Sequence, residues 1–283
     1  MLRNFADNAL KLEIVIMNKR RPFFSIATPC WNSVDTIERT IKSVLDQDFQ
    51  DYEYIIVDGG STDGTLEIIK KYEPLFEGRM FWRSEPDKGL YDAFNKGVER
   101  SRGIYCWNVN ADDYLEPDVL SKLASFINSH KWETLPVISG AINFVAQNGK
   151  ILYKAQSDEK KLHECFKKDH IGVAHPATLV PKDVYEKYGA FDITYRIIGD
   201  ADWFHRAYLA GVKFVFIDFV LTNMSDGGVS NTFNYKKSLK DRIYYIKKHY
   251  PHKTERVVRL IRWTLSFYKQ KFEHWISNRK HEE

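Results

Sequence analysis

The sequence predicts an α/β fold built on a mostly parallel sheet, and three observations carry that prediction. Short β-forming apolar runs alternate with helix-period segments across the first 110 residues, joined by short connections. No internal repeat or low-complexity linker interrupts the pattern. At 283 residues, with 43% hydrophobic and 28% charged side chains, the chain can bury a full core as an ordinary globular protein.

The elements follow in order. "FFSIAT" (23–28) is a strand stopped by Pro29, and "VDTIERTIKSVLDQ" (34–47) puts Ile37, Ile41, Val44 and Leu45 on one helical face. Asn32 or Ser33 is available as its N-cap. "YEYIIVD" (52–58) is the second strand, ended by Gly59-Gly60; "TLEIIKKY" (65–72) is helical, "MFWRSE" (80–85) a strand, "LYDAFNKGVERS" (90–101) a helix and "GIYCWNV" (103–109) a fourth strand. After Pro117 the pattern is mixed. "VISGAINFVAQNGKILYKA" (137–155) reads as a hairpin turning at Asn148-Gly149, followed by polar, Lys-rich residues 156–169. "DADWFHRAYLAG" (200–211) reads as a helix and "VKFVFID" (212–218) as a strand.

Three organisational units are expected: an N-terminal extension over 1–21, one α/β domain over 22–235 and a basic amphipathic helical tail over 236–283. From Lys236 to Glu283 there are 14 Lys and Arg against 5 Asp and Glu, a net of +9. Residues 1–235 hold the remaining 28 against 33, a net of −5. A basic tail on an acidic body points to an anionic partner. "ERVVRLIRWTLSFYKQKFEHWIS" (255–277) aligns Val257, Ile261, Leu265, Tyr268, Phe272 and Trp275 or Ile276 in one stripe beside Lys and Arg, a pattern that suits a membrane interface, the domain's own surface or a second subunit. On the membrane reading Trp263, Phe267, Phe272 and Trp275 are the aromatics that insert. No nucleic-acid-binding motif accompanies the charge. No apolar run reaches the length of a membrane span, and "LEIVIM" (12–17) is too short for a signal peptide. Cys30, Cys106 and Cys165 form neither a CxxC pair nor a disulfide framework, so a cytoplasmic home and buried apolar roles are expected.

Ligands of such sheets bind at the carboxyl ends of the strands. That edge collects "PCWNS" (29–33), "DGGSTDG" (58–64) and "NADD" (110–113). There is no GxxxxGK[ST], and no GxGxxG follows the first strand, which argues against a P-loop or a dinucleotide fold. Carboxylates at 58 and 63 would repel phosphate but can accept from a base or ribose; they equally suit a turn that caps the following helix. Adjacent carboxylates at 112 and 113 suit Mg²⁺ or Mn²⁺, or else a solvated acidic turn.

"SIATPCWN" (25–32), "IIVDGGSTDGT" (55–65), "SEPDKGLYDAFNKG" (84–97), "NADDYLEP" (110–117), "GAFD" (189–192) and "GDADWFHRA" (199–207) occur in that order over about residues 22–218. Together they resemble the family 2 glycosyltransferases of the GT-A fold, in particular the subgroup that makes bacterial exopolysaccharide, capsule or lipopolysaccharide. The resemblance implies a nucleotide-binding half, a mixed acceptor half and a divalent cation. It implies an inverting enzyme that moves a sugar from a nucleoside-diphosphate sugar, UDP-linked by preference, to a glycan or lipid-linked acceptor. By the same resemblance Thr28, Trp31 and Asn32 line the base pocket, Asp58 meets a uracil-type ring, and Asp87 and Lys88 lie near the diphosphate. Asn110 and Asp112 take the ends of the family's DxD motif, with Asp112 the metal ligand and Asn in place of the first Asp. Asp200 matches the catalytic base of the "ED" motif, with Gly199 where Glu often stands, and Asp202 competes for the role. His175 and Trp203 are expected on the acceptor side. A nucleotidyltransferase on a similar sheet lacks a basic glycine-rich loop here, and a non-catalytic relative would be expected to have lost Asp112 or Asp200. The oligomeric state stays open.

Overall fold

The computed structural model describes residues 21–146, 149–167, 172–225 and 235–279, and within 235–279 the side chains of 238–269. All of the expected extension but Arg21, and Asn148 of the hairpin turn, lie outside the described residues.

β1 (Phe24–Cys30), α1 (Ile37–Leu45), β2 (Tyr52–Asp58), α2 (Thr65–Tyr72), β3 (Met80–Ser84), α3 (Leu90–Arg100) and β4 (Tyr105–Asn108) form the expected alternation. β1 pairs in parallel with β2 and β4, and β2 with β3. Every residue of β1 and β2 is buried, as parallel strands covered on both faces require. The helix expected from Val34 begins instead at Ile37. Ser33 supplies a backbone carbonyl to Thr36 and Ile37, and Thr36 caps without a side-chain bond.

The second half is β5 (Tyr114–Leu115), α4 (Val119–Asn128), β6 (Val137–Val145), β7 (Ile151–Ala155), α5 (Glu159–Lys167), β8 (Thr178–Pro181), α6 (Lys182–Tyr188), α7 (Gly199–Leu209), β9 (Phe214–Ser225), α8 (Tyr235–His249) and α9 (Lys253–Arg279). The strand order is β3-β2-β1-β4-β8-β6-β9-β5, with β7 paired to β6. β8 runs antiparallel to β4 and β6, so the sheet is mixed in this half. The Lys-rich stretch after β7 is α5, which turns Leu162 and Phe166 inward. One core holds Phe24, Ile56 and Trp107 with α1, α2 and α4; the other holds Phe94, Val180 and Trp203 with Tyr245 and Ile246 of α8.

That last contact corrects the expected boundary before residue 236. α8 is part of the body: Tyr245, Ile246, Asp241 and Arg242 are all buried. α9 has two faces. Leu260 packs against the second core, Phe267 is 9% exposed, and the Arg242 guanidinium stands 5.7 Å from the Trp263 ring. Trp263 and Phe267 therefore hold the helix to the body, contrary to their expected place in a lipid interface. Val257, Ile261, Leu265 and Tyr268 do form the outward stripe, each more than half exposed. The side chains of Phe272, Trp275 and Ile276 lie outside those described. Among the described residues no helix is long and apolar enough to cross a membrane.

Candidate active site

The strand order changes direction at β1, which has β2 on one side and β4 on the other, and the loops after these strands meet at their carboxyl edge. Register puts Cys30 beside Asp58 and Asp58 beside Ser84, so three loops leave the sheet at one level.

Asp58 organises this edge from within. It is fully buried, and its carboxylate accepts from the amides of Gly60 and Ser61 and the hydroxyls of Ser61 and Ser84. Burial would raise its pKa, but these hydrogen bonds outweigh it and hold the group below the usual carboxylate range. With both oxygens occupied, Asp58 shapes the loop; the expected contact to a base is not available to it. Thr28 is likewise buried, its Oγ1 accepting from Tyr54 Oη at 3.1 Å, so it does not line an open pocket. Asn32, with φ +47°, locks the neighbouring loops together: its amide donates to Ser61 Oγ and its Oδ1 accepts from Thr62 N. Trp31 is 66% exposed. A Cβ on Gly59 would fall 2.6 Å from Asp87 Oδ2 and 3.4 Å from Trp31 Cβ, so both side chains stand close against this turn. Lys88 is exposed beside them.

The acidic pair after β4 divides. Asp113 is buried and accepts from Asn110 Nδ2 at 2.9 Å and Ser225 N at 3.2 Å; burial, then repulsion from Asp112, pushes its pKa up to about 8. Asp112 is half-buried, and burial raises its pKa too. Its backbone carbonyl takes bonds from Arg39 and Ser225 Oγ, while among the described residues no side chain donates to its carboxylate. A desolvated carboxylate without a donor suits a hard cation, which typically takes one or two carboxylates plus substrate phosphates. No group of three His, Cys, Asp or Glu with metal-binding geometry occurs among the described residues.

Asp200 stands in the first turn of α7, 24% exposed. Burial raises its pKa to about 6, against hydrogen bonds from Ala201 N at 2.8 Å and Tyr91 Oη at 3.1 Å. Gly199 has a steric reason: a Cβ there would lie 2.8 Å from the Tyr91 ring, which explains the absence of the Glu expected from the resemblance. Asn110, His175, Asp200 and Tyr91 line one cavity of about 430 Å³ whose other walls include Phe94, Ile142 and Phe144. His175 Nδ1 is 3.9 Å from Asp200 Oδ2, and its buried Nε2 has no hydrogen-bond partner among the described residues. Burial lowers the pKa of this imidazole to about 4, so it is neutral at physiological pH.

Asp202 and Trp203 do not reach the cavity. Asp202 is fully buried and binds Arg206, Lys248, His249 and Tyr195. Burial opposes its charge, but bonds led by His249 and Arg206 hold its pKa well below the carboxylate range. Trp203 is in the core with Nε1 on Gly189 O. Sequence reasoning missed Arg39, Tyr91 and Asp241. Tyr91 sat within a motif already read; Arg39 and Asp241 lie on helices where nothing local marks them.

The Glycosyl transferase family 2 profile matches residues 25–189. A PGL/p-HBAD biosynthesis glycosyltransferase of Mycobacterium bovis (strain BCG) is 29% identical over 222 residues, spanning 77% of this chain and 83% of that protein. The putative teichuronic acid biosynthesis glycosyltransferase TuaG of Bacillus subtilis is 40% identical over 111 residues, 39% of this chain and 44% of TuaG. Among solved structures, S. aureus TarS 1–349 in complex with UDP-GlcNAc superposes with a TM-score of 0.63 at 20% identity, covering 84% of this chain and 70% of that one. Against a longer TarS chain the match covers 83% of this chain and 41% of TarS. Mannosyltransferase PcManGT from Pyrobaculum calidifontis, in complex with GDP-Man and Mn²⁺, gives 0.58 at 14% identity over 81% and 64%. With a GT-A-type mixed sheet and the family profile over more than half its length, the chain belongs to glycosyl transferase family 2 and is a glycosyltransferase.

Proposed function

We propose that the protein is an inverting glycosyltransferase that moves a sugar from a nucleoside-diphosphate sugar, UDP-linked by preference, to a glycan or lipid-linked acceptor in bacterial surface polysaccharide synthesis. The observation that carries this reading is Asp200, a desolvated carboxylate at a helix start that opens into the same cavity as Asn110. The donor preference draws on the likeness to TarS with UDP-GlcNAc, and the polysaccharide context on the relatives' names.

Trp31 and Asn32 flank the base, Asp87 and Lys88 lie by the ribose and diphosphate, and Asn110 binds a sugar hydroxyl. Asp112 would hold Mg²⁺ or Mn²⁺, which when bound neutralises charge on the departing diphosphate. Asp200 takes the proton from the acceptor hydroxyl, whose oxygen attacks the anomeric carbon from the face opposite the diphosphate. The bond from that carbon to the diphosphate oxygen breaks, and the diphosphate leaves with the electron pair. One displacement inverts the anomeric centre. Neutral His175 orients the acceptor hydroxyl through a hydrogen bond. Incubation with a panel of nucleotide sugars and Mn²⁺ should show slow hydrolysis of one donor, and Asp112→Ala should abolish transfer and the metal dependence of nucleotide binding. Near-normal activity with an intact Mn²⁺ response would sink the metal assignment.

The outer face of α9 supports peripheral contact with an anionic membrane, at the inner face of the plasma membrane. Its exposed stripe of Val257, Val258, Ile261, Leu265 and Tyr268 is bordered by exposed Lys253, Arg262 and Lys269. A second copy packed there would bring like charges together, whereas each Lys or Arg near an anionic leaflet contributes about 1 kcal/mol. The protein should cosediment with phosphatidylglycerol vesicles, less so in high salt, and Ile261→Ser with Leu265→Ser should release it. A dimer that these two changes dissociate, with no vesicle binding, would show the face to be a subunit interface.

A further inference from the structure

The chain that delivers Asp200 into the cavity is held from outside the motif that contains it. α7 opens at Ile198, a residue with no side chain able to cap the helix, and no local side-chain cap is made. A carboxylate of α8 instead holds the chain that leads into the helix. Asp241, 4% exposed, receives on its Oδ2 the backbone amides of three successive residues: Arg196 at 2.9 Å, Ile197 at 2.7 Å and Ile198 at 3.3 Å. These lead straight into Gly199 and Asp200. The same short segment is fastened on its other side to the donor loop. Ile197 O accepts from Tyr91 Oη at 2.6 Å, and Arg196 Nη1 donates to Lys88 O at 2.9 Å.

We infer that Asp241 is a positioning residue for the transfer step: a carboxylate on the C-terminal helix that caps residues 196–198 and so sets the height of Asp200 in the cavity and its distance from the 86–91 loop. The inference rests on Asp200 as the base. A carboxylate suits this position because three converging amide dipoles favour a negative charge at a helix N-terminus. Removal leaves three part-buried amides without their acceptor and lets the segment move. Displacing a reacting group by about 1 Å costs on the order of 100-fold in rate.

The test compares Asp241→Leu, which removes the acceptor, with Asp241→Asn, which keeps one carbonyl oxygen for the amides. In the purified full-length protein Asp241→Leu should lower kcat about 10- to 100-fold, leave the donor KM little changed and move the acid limb of the kcat profile. Asp241→Asn should recover most of the loss. If the Leu variant does not fold, Asp241→Ser is measured instead. A folded Leu or Ser variant with the wild-type kcat and pH profile would overturn the inference. Asp200→Asn, measured alongside, separates the two failures. An active Asp200→Asn means that the base is misassigned, whereas an inactive one beside a normal Asp241→Leu removes only the role of Asp241.

Discussion

Asp200 and Asp202 are two residues apart on one helix, yet the protein treats them in opposite ways. Asp200 faces a cavity, receives two hydrogen bonds and has its pKa raised to about 6 by burial. Asp202 points into the body, where Arg206, Lys248, His249 and Tyr195 surround it, and its pKa is depressed. Lys248 also bridges to Asp192, so this cluster ties α7 and α8 to the chain before Tyr195. Two carboxylates driven apart in this manner fit a division of labour: on the proposed mechanism the desolvated one exchanges a proton, and the paired one holds its charge for structure. The sequence left them as rivals for one role. Their surroundings separate them.

The largest expected effect breaks the comparison on the chemical side. Asp200→Asn should leave donor binding intact while lowering turnover by about two to four orders of magnitude, the scale of general-base catalysis. An equal loss from Asp202→Asn with Asp200→Asn still active would exchange the roles.

A smaller effect is expected on the structural side. Asp202→Ala strands three basic groups around a buried site. Loss of one partner from a fully buried pair costs about 3–5 kcal/mol, and because Arg206 and Lys248 are partly exposed about 2–3 kcal/mol is expected here. Denaturant unfolding reads this directly; an unchanged midpoint would show that the network is dispensable.

The pH dependence sharpens the contrast with no substitution at all. On the proposed mechanism transfer needs ionised Asp200, so turnover should fall as pH drops through about 6. Stability should not follow. The folded form of Asp200 binds its proton more readily than the unfolded chain does, so its contribution to stability rises as pH falls from 7 towards 4. Asp202 has the reverse sign: its stabilisation is present above the ordinary carboxylate pKa of about 3.9 and is lost below it, as the folded value is approached. Activity should therefore disappear one to two pH units, roughly, before the fold weakens. Unfolding that tracks the activity loss would contradict this separation.

Much of the site was legible in the sequence because it is local. The strands that end at Cys30, Asp58 and Asn108 all open at the same edge of a parallel sheet wherever β-α-β order holds, so motif order alone brought Trp31, Asp87, Asn110 and Asp112 to one edge. Burial was not legible. Thr28, Asp58, Asp202 and Trp203 all lie in recognisable motifs, and the structure turns each of them inward. Which way a polar side chain at a strand end or helix start faces depends on partners far along the chain: Tyr54 for Thr28, Ser84 for Asp58, Lys248 and His249 for Asp202.

The C-terminal region shows the same limit. Apolar periodicity and a net charge of +9 are properties of sequence, and they determined that a basic amphipathic helix would form there. They could not say which apolar residues serve the body. An amphipathic pattern records that a face is apolar, while what covers that face is decided by the rest of the molecule. Only the tertiary structure assigned Phe267 to packing and Leu265 to the surface, and only it brought Asp241 to the three amides before Asp200, because contacts between segments more than forty residues apart leave no periodic trace in either segment.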